Sequence, residues 1–518
     1  MNKNIDLVAN IFDVLKQMNV ADIIVCAGAR NLPLVEALEY TEFNIESYFE
    51  ERSAGFYALG KIKSSKKPVA VVTTSGTAVA EILPAVIEAY YQNLDLIVVS
   101  ADRPKNYRGS GSPQSINHIG IFSVYANTAI DWDYLTTEFK IISTKNKPLH
   151  LNVCFQEPLI DGKLCEAKKT TVTVTVQHEK PKIASGLKIV NPIAIISEID
   201  FLDRKMVKDF LLKNKIIHYA EFLSGLKNDA QLLSLQIQSS DSFVKNIFKN
   251  KQASTLLRIG GVPTLRFWRD LESDYKDLPV ISFSSRLFTG LARESKIFDL
   301  QSINQVEVHV DNVVDNQIVL SFDIELQNKK INLLNEHKNS EQNFVNKIAN
   351  YIYPHAVYVG NSLPIRTWDG IVSINQNNQD AYANRGANGI DGQISTYLGW
   401  AQNKPEAWCV VGDLTALYDL SALGLAVGST NKKRIVIINN CGGQIFSRIL
   451  GNQKYLNAQK VDFKSWAQMW LWDYILIQSV DQMQDLKNIS GQQLIIELRP
   501  DNLQTESFWK QWDLLCKK

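Results

Sequence analysis

The sequence predicts an α/β protein built from three doubly wound domains whose sheets are mainly parallel. Short apolar runs alternate with helical stretches along most of the chain, which is the pattern of repeated βα units. Polar residues follow the apolar runs, as expected at the carboxyl ends of parallel strands. The 518 residues are too many for one hydrophobic core, and polar stretches at 166–186 and 327–342 separate three segments. We therefore expect domains at 1–180, 190–327 and 343–518.

The composition is that of an ordinary globular protein and does not indicate a nucleic-acid or membrane partner. The 55 Lys and Arg residues nearly balance the 54 Asp and Glu residues, so no net charge attracts nucleic acid or an acidic membrane surface. No apolar run is long enough to span a membrane, and the N-terminus has the pattern of an amphipathic helix rather than of a signal peptide. The six cysteines and seven histidines lack the spacing of metal ligands. We expect a cytoplasmic protein with buried, reduced thiols and structural histidines.

The first segment has the clearest alternation of predicted helices and strands. The predicted strands are Asp22–Val25, Asn44–Phe49, Val69–Thr73 and Leu96–Ser100, and helices are predicted at 5–18, 33–39, 50–62 and 74–91. Polar residues follow each strand, so the sequence predicts a parallel sheet with polar side chains along one edge.

The later segments repeat this alternation. Strands are predicted at Ile193–Ile196, Thr255–Ile259 and Val280–Phe283 in the second segment, and at Ala356–Val359, Ala381–Ala383, Trp408–Val411 and Ile435–Ile438 in the third. Because the first and third segments share the βα repeat, we expect them to be distant copies of one fold.

Two neighbouring strands of the third segment end in residues suited to a divalent cation. One strand is followed by Gly412 and Asp413, and the next by Asn439 and Asn440. The strands and the helix between them form a βαβ unit, so these side chains can converge at one edge of the sheet. Carboxylate and amide oxygens, with a backbone carbonyl from the following glycines, suit Mg²⁺. The alternative is that both are ordinary turns, with Asp413 as a helix N-cap.

Two other segments are candidates for binding a ligand. Glu51 lies after a predicted strand and begins a helix, where the alternative is a solvated residue favoured by the helix dipole. The glycine-rich loop at 384–392 could bring backbone close to a ligand, and the alternative is an ordinary loop.

Four arginines stand at predicted strand ends or in loops: Arg30, Arg103, Arg366 and Arg385. An isolated arginine is usually a surface residue, but arginines clustered at the carboxyl ends of parallel strands can bind carboxylates in a bidentate manner. Their number predicts substrates that carry several negative charges.

Motifs along nearly the whole chain occur in the order found in one family of thiamine diphosphate enzymes. They are AGARNLPL, FEERSAG, VVTTSGTAVAEILPAVIEA, ADRP, QSI, GNSLPIR, NRGANGIDG, VGDLTALYDL and NNCGGQIF. The chain resembles the synthases of 2-succinyl-5-enolpyruvyl-6-hydroxy-3-cyclohexene-1-carboxylate (SEPHCHC) in menaquinone biosynthesis, and the last three motifs are specific to that family. The resemblance implies a transferase that decarboxylates 2-oxoglutarate with thiamine diphosphate and adds the resulting carbanion to isochorismate, giving SEPHCHC and CO₂. It also implies a pyrimidine-binding domain at 1–180 and a diphosphate-binding domain at 343–518, flanking a central domain.

The resemblance assigns roles to individual residues. It implies Glu51 as the acid that activates the cofactor, and Ile390 as the apolar wedge that bends it. Asp413, Asn440 and the carbonyl of Gly442 become ligands of Mg²⁺, with Mn²⁺ as an alternative. The implied cofactor-binding residues are Glu51, Gly389, Ile390, Gly412, Asp413, Leu414, Thr415, Asn440, Gly442, Gly443 and Ile445, and the implied substrate-binding residues are Arg30, Arg103, Gln114, Ser362, Arg366, Arg385 and Phe446. Because the active sites of the family lie between subunits, a homodimer or homotetramer is implied.

The sequence departs from the family pattern on the substrate side. Ala29 stands where the family has a serine, Pro113 where a polar or small residue is common, and Phe267 where a second cation follows Arg266. These differences leave open a related thiamine diphosphate-dependent decarboxylase or carboligase with another donor or acceptor. A third hypothesis is a catalytically silent protein that binds thiamine diphosphate or a nucleotide.

Overall fold

The computed structural model describes residues 3–126, 128–168, 170–310, 316–372, 379–447, 453–488 and 491–517. Its contacts divide the chain into two compact units. The first unit comprises Met1–Lys180, Gly386–Lys404 and Tyr418–Asn431, and the second comprises Pro181–Arg385, Pro405–Leu417 and Lys432–Lys518. Within the described ranges, no helix combines the length and the apolar character needed to cross a membrane.

The N-terminal 180 residues contain a parallel sheet with helices between its strands. The strands are β1 (Asp22–Val25), β2 (Asn44–Ser47), β3 (Val69–Thr73), β4 (Leu96–Asp102), β5 (Thr128–Trp132), β6 (Phe139–Thr144), β7 (Leu149–Cys154) and β8 (Val172–Gln177). The helices are α1 (Asn4–Gln17), α2 (Leu32–Leu38), α3 (Glu51–Ser65), α4 (Thr77–Glu81) and α5 (Leu83–Gln92). The large sheet has the order β2-β1-β3-β4-β7-β5, and β6 pairs with β8 in a separate ribbon. The α/β class predicted for this segment is confirmed.

The predicted linker at 166–186 is partly wrong. Residues Val172–Gln177 form β8, which pairs in parallel with β6 through six residue pairs, from Phe139 with Val172 to Thr144 with Gln177. The segment VTVTVQ alternates valine with polar residues, which is the pattern of a half-buried strand, and its valines and threonines are β-branched. The lysine- and threonine-rich residues around this segment made its two-residue alternation hard to recognise in the sequence.

The second sheet lies in the middle of the chain. The strands of this part of the chain are β9 (Lys188–Val190), β10 (Pro192–Ile196), β11 (His218–Ala220), β12 (Thr255–Ile259), β13 (Val280–Phe283), β14 (Lys296–Phe298) and β15 (Glu307–His309). Strands β10 to β14 form the sheet, and β9 pairs separately with β15. The helices are α6 (Arg204–Asn214), α7 (Asp241–Lys249), α8 (Arg266–Asp270) and α9 (Asn316–Glu336). The parallel order is β11-β10-β12-β13-β14, so the chain reverses its direction of winding between β10 and β12. The polar stretch predicted to separate the segments at 327–342 is largely helical, because α9 extends through it to Glu336.

The third sheet occupies the C-terminal part of the chain. Its strands are β16 (Ala356–Val359), β17 (Ala381–Tyr382), β18 (Glu406–Gly412), β19 (Lys432–Ile438), β20 (Asp473–Ile477) and β21 (Gln493–Leu498). The helices are α10 (Glu341–Ile352), α11 (Leu363–Ile371), α12 (Gln393–Trp400), α13 (Asp413–Tyr418), α14 (Phe463–Met469) and α15 (Asn502–Lys517). The order β17-β16-β18-β19-β21-β20 repeats the order of the first sheet when each set of strands is counted along the chain. This shared topology confirms that the first and third segments are copies of one fold.

Glycines allow α3 and α12 to pack closely within the first unit. A Cβ atom on Gly60 would lie 2.1 Å from the Thr396 carbonyl oxygen, and one on Gly399 would lie 2.1 Å from the Tyr57 carbonyl oxygen. Both positions therefore exclude any larger side chain. This contact fixes the helix whose first residue is Glu51.

Candidate active site

Glu51 is the first residue of α3 and follows the edge strand β2. The preceding residue, Glu50, caps the helix by accepting hydrogen bonds from the backbone N–H groups of Arg52 (3.0 Å) and Ser53 (3.2 Å). Glu51 itself is half-buried. Burial, and then the negative charges of Glu50 and Glu81, raise the pKa of Glu51. Glu51 can thus hold a proton at a higher pH than an exposed glutamate.

Glu88 holds the glycine-rich loop against the first sheet's helices. Its buried carboxylate accepts hydrogen bonds from the backbone N–H groups of Gly386 (2.8 Å) and Ala387 (2.6 Å). Sequence reasoning missed this residue, although a carboxylate within an otherwise apolar helix was a usable signal. The contact fixes the start of the segment that carries Gly389 and Ile390.

A pocket of about 190 Å³ opens beside this loop. Gly389 lines it together with Phe56, Pro84 and Ile87. The next residue, Ile390, is half-buried. Gly389 therefore lies beside apolar side chains of the first unit.

Of the predicted substrate residues of the first unit, Arg30 and Arg103 follow strands, whereas Gln114 lies in a loop between β4 and β5. Arg30 follows β1, is buried, and pairs with Glu157 at 3.1 Å. Arg103 directly follows β4, and its guanidinium lies 5.6 Å from the centre of the Tyr107 ring. The Nε atom of Arg103 is buried without a hydrogen-bond partner among the described residues. Gln114 is exposed and has a positive φ of 55°.

Asp413 lies where the sequence predicts it, at the carboxyl end of β18 and beside the end of β19. The parallel register pairs Gly412 with Ile438, which aligns the two strand ends. One carboxylate oxygen of Asp413 accepts hydrogen bonds from the Gly442 N–H (2.7 Å) and from Gln459 Nε2 (2.8 Å). Burial raises the pKa of Asp413, against the lowering effect of these donors.

Asn440 presents an oxygen that the described residues leave unused. Its Nδ2 atom donates to the buried carboxylate of Glu341 at 2.8 Å, which fixes the orientation of the amide. Its Oδ1 atom is buried and has no hydrogen-bond partner among the described residues. A buried oxygen without a donor is costly in protein alone but is what an oxygen-preferring cation needs. The residues around Asp413 therefore fit a divalent cation.

The glycine turn after Asn440 is tightly packed. Gly442 has a φ of 131°, and a Cβ atom there would lie 2.6 Å from the Leu456 carbonyl oxygen. Gly443 donates its N–H to the same carbonyl at 2.5 Å. Ile445 is half-buried and Phe446 is exposed. Of the cysteines expected to be buried, Cys165 and Cys441 are exposed and Cys516 is half-buried, while Cys26, Cys154 and Cys409 are buried.

The second unit has a cluster of three arginines near the start of α11, namely Arg269, Arg366 and Arg385. Arg366 donates to the carbonyl of Ser362 at 2.6 Å, and Arg385 donates to Asn361 Oδ1 at 2.7 Å. Ser362 has a positive φ of 72°, an uncommon conformation for a residue other than glycine. Desolvation, and then the positive charges of Arg385 and Arg269, lower the pKa of Arg366. Mutual repulsion of these cations makes the cluster a favourable place for an anion.

Phe267, which the resemblance places at a cation position, lies in the apolar core. Its ring is buried and stacks on Phe248 with a centroid distance of 5.7 Å. Arg269 on the same helix is exposed and contributes positive charge at Arg366. Sequence reasoning considered only Arg266 and Phe267 for the cation pair and did not single out Arg269, two residues further along α8.

Comparison with known proteins identifies the family. The profile described as "Thiamine pyrophosphate enzyme, N-terminal TPP binding domain" matches residues 5–121. A curated protein of Bdellovibrio bacteriovorus named 2-succinyl-5-enolpyruvyl-6-hydroxy-3-cyclohexene-1-carboxylate synthase is 43% identical, and the match covers 99% of this chain and 100% of that protein. Proteins of the same name from Akkermansia muciniphila and Lysinibacillus sphaericus are 33% and 28% identical, covering 93% and 92% of this chain and 94% and 91% of their own lengths. The chain belongs to the SEPHCHC synthase family.

The SEPHCHC synthase family comprises thiamine diphosphate-dependent transferases of menaquinone biosynthesis, so this member is an enzyme of that class. The structure brings several of its predicted site residues together: Asp413 with Gly442, and Arg366 with Ser362. Besides Glu88 and Arg269, the structure adds two residues beside Asn440 and Asp413 that the sequence did not single out, Glu341 and Gln459. Glu341 resembles a common acidic residue in a first helical turn, and nothing in the sequence near Gln459 indicates its contact with Asp413.

Proposed function

We propose that this chain catalyses the thiamine diphosphate-dependent reaction of 2-oxoglutarate with isochorismate that yields SEPHCHC and CO₂. One observation carries the proposal: a protein named for this synthase is 43% identical over 99% of the chain. The raised pKa of Glu51 and the buried oxygens around Asp413 support the same activity.

The residues at the ends of β18 and β19 would hold Mg²⁺ or Mn²⁺. Asp413 would supply an anionic oxygen, Asn440 its unpartnered Oδ1, and Gly442 its backbone carbonyl. The remaining positions of such a cation are available to the diphosphate and to water. The proposed residues near the diphosphate are Gly412, Leu414, Thr415, Gly443 and Ile445.

Thiamine diphosphate, when bound, supplies a positively charged ring that takes up the electrons released as a 2-oxo acid loses CO₂. Glu51 would hold a proton against N1′ of its aminopyrimidine, and the raised pKa of Glu51 favours the carboxyl form that this contact needs. Ile390 would support the bent form of the cofactor, with Gly389 close by. Half-burial of Glu51 limits the access of competing water.

The proposed substrates suit the arginines. Both 2-oxoglutarate and isochorismate carry two carboxylates, and arginine binds carboxylates with paired N–H groups. We propose that the substrate-binding residues are Arg30, Arg103, Gln114, Ser362, Arg366, Arg385 and Phe446. The repulsion among the cations near Arg366 would be relieved when a dicarboxylate binds.

We further propose that the active enzyme is a homodimer or homotetramer. Residues 1–180 would provide the pyrimidine-binding domain from one subunit, and residues 343–518 would provide the diphosphate-binding domain from its partner. Residues 190–327 would form the central domain.

A Glu51→Gln variant tests the role of the proposed acid. The variant is expected to bind thiamine diphosphate but to lose at least about a hundredfold in turnover, because an amide cannot hold and return the proton. Glu81→Gln is the matched control, since it removes a nearby exposed carboxylate that raises the pKa of Glu51 but has no proposed contact with the cofactor. Equal turnover in Glu51→Gln and wild type would remove Glu51 from the mechanism.

A second candidate is a related carboligase that uses another donor or acceptor. It is favoured by Ala29, which lacks the family's hydroxyl beside the buried Arg30. A screen of 2-oxo acids and acceptors separates the two candidates. Higher kcat/KM with a different pair than with 2-oxoglutarate and isochorismate would establish the second one.

A further inference from the structure

Two carboxylates of the second unit meet at one threonine hydroxyl. Glu221 follows β11, Thr264 follows β12, and Asp369 lies on α11. All three residues are buried. The Thr264 Oγ1 atom lies 2.5 Å from Glu221 Oε1 and 3.1 Å from Asp369 Oδ2. This contact joins the central sheet to the helix that carries Arg366.

The other hydrogen bonds in this cluster restrict where its protons can be. The Thr264 N–H donates to Glu221 Oε1 at 2.6 Å, and the Phe222 N–H donates to Asp369 Oδ1 at 2.7 Å. Both groups can only donate, so they use one oxygen of each carboxyl group as an acceptor. The two carboxyl groups are joined through the Thr264 hydroxyl, which has one hydrogen. If it donates to one carboxylate, the other carboxyl group must carry a proton to bond to the same hydroxyl.

The surrounding charges agree with one proton for the pair. The Lys227 ammonium group donates to the backbone carbonyl of Asp369, and its positive charge balances one ionised carboxylate. Tyr219 and Arg366 also interact electrostatically with both carboxyl groups, Arg385 lowers the pKa of Asp369, and Lys330 interacts with Lys227. Burial, and then the charge of Asp369, raise the pKa of Glu221, and burial likewise raises the pKa of Asp369. A second ionisation would bury two negative charges at one hydroxyl.

The position of the cluster connects it to the proposed substrate site. Asp369 lies one turn after Arg366 on α11, and the Arg366 side chain donates to the carbonyl of Ser362, the residue before the helix. The ring of Trp368, next to Asp369, packs on Phe222 with a centroid distance of 5.4 Å. Movement of α11 away from Thr264 would therefore move Arg366.

We propose that Glu221 and Asp369 share a single proton through Thr264, and that this proton holds α11 in the orientation in which Arg366 binds the anionic substrate. Glu221, Thr264 and Asp369 are positioning residues, since they act through Arg366. The proposal rests on the proposed function for the identity of that substrate. Loss of the proton at alkaline pH repels the two carboxylates and weakens substrate binding.

Asp369→Asn is the decisive variant. The amide introduced by this substitution can accept from the Phe222 N–H and donate to the Thr264 hydroxyl, which imitates the protonated carboxyl group at every pH. In the wild type, KM should rise up to about tenfold per pH unit above the pKa of the pair, with little change in kcat. In Asp369→Asn the KM should stay constant over that range. The wild-type rise persisting in Asp369→Asn would overturn the proposal.

Thr264→Val removes the shared hydroxyl without changing the shape of the side chain. It should raise KM severalfold at neutral pH, while Thr255→Val, the same change at the start of β12, should not. An unchanged KM in Thr264→Val would also contradict the proposal.

A readout without substrate separates this proposal from the proposed function. Infrared spectroscopy of the wild type at neutral pH should show a protonated carboxyl band that both Asp369→Asn and Glu221→Gln remove. A band that either variant leaves intact would refute the shared proton. Failure of the proposed function would appear as a lack of turnover in the wild type, with the band still present.

Discussion

At the scale of single residues, burial gives ordinary polar side chains unusual properties. Glu51 begins a helix as many exposed glutamates do, yet burial and two neighbouring carboxylates raise its pKa. Asn440 follows a strand as turn residues do, yet Glu341 fixes its amide and leaves Oδ1 buried without a partner among the described residues. The chemistry of both residues depends on their neighbours rather than on their residue type.

Asn440→Ala tests the proposed cation site. Loss of Oδ1 removes one oxygen ligand, so the affinity for Mg²⁺ in the presence of thiamine diphosphate should fall at least about tenfold, in the range seen when groups that support a metal site are lost. Isothermal titration calorimetry measures that affinity. Cys441→Ser is the control, because Cys441 is adjacent and exposed and has no proposed role. Equal Mg²⁺ affinity in Asn440→Ala and the control would exclude Asn440 as a ligand.

Sequence could predict the positions of Asp413 and Asn440 because both directly follow strongly apolar strands. Their places depend on local pattern and on the rule that parallel strands end at the same edge. Glu88 and Gln459 act through contacts with residues 298 and 46 positions away. No local pattern encodes such distant partners.

At the scale of elements, close helix packing and buried anchors hold the first unit together. The approach of α3 to α12 needs glycine at Gly60 and Gly399. Asp419 then anchors α12 by accepting from the N–H (2.8 Å) and the hydroxyl (3.0 Å) of Ser395. These contacts position the helix that begins at Glu51.

Gly399→Ala should disrupt the packing of α3 on α12. The added methyl group would overlap the Tyr57 carbonyl oxygen, so the free energy of unfolding should fall by about 3 kcal/mol. Gly370→Ala is the matched control within α11, where nothing lies within 4 Å of the new atom. That variant should gain about 0.5–1 kcal/mol from the higher helix propensity of alanine. Chemical denaturation measures both, and equal stabilities would contradict the packing described.

Asp419 should make stability depend on pH. Burial raises the pKa of Asp419 to about 6. A carboxyl group whose pKa is higher in the folded than in the unfolded state stabilises the fold most at pH values below its unfolded-state pKa. For Asp419 this stabilisation is lost as the pH rises through the folded-state pKa of about 6. The free energy of unfolding should therefore fall by up to about 3 kcal/mol across that interval.

Asp419→Asn should remove this fall, because its amide can still bond to Ser395 but does not titrate. Asp277→Asn, the same change at an exposed position, should retain it. Denaturation curves at several pH values test both variants. A wild-type slope that survives in Asp419→Asn would assign the pH dependence to another group.

The elements themselves were largely predictable where apolar runs are strong. Asp22–Val25, Val69–Thr73 and Thr255–Ile259 have the predicted bounds. Two elements, β8 and the second half of α9, fall in stretches that the sequence analysis took as linkers. Both have polar faces, so hydrophobicity alone could not distinguish them from linkers.

At the scale of the whole molecule, the first and third sheets share one topology, and each provides residues of the proposed cofactor site. The first sheet ends near Glu51 and the third ends near Asp413. The βα pattern predicted that the two segments are copies of one fold, but their strand order is known only from the structure. The partition of the chain into two units, which assigns residues 386–404 and 418–431 to the first, was not foreseeable, because it depends on contacts between distant segments.

Mixing two inactive variants tests the proposed sharing of active sites between subunits. A heterodimer of Glu51→Gln and Asp413→Asn would contain one site with both wild-type residues and one with neither. Random exchange of subunits should therefore restore about a quarter of wild-type activity. Sites formed within single chains would give no recovery.

The central claim is tested most directly by product analysis with both substrates. Purified protein with thiamine diphosphate and Mg²⁺ is incubated with 2-oxoglutarate and isochorismate, and mass spectrometry follows the products. We predict one SEPHCHC and one CO₂ for each pair of substrate molecules consumed, and almost none with Glu51→Gln. Protein that demonstrably binds the cofactor but leaves both substrates unchanged would contradict this account.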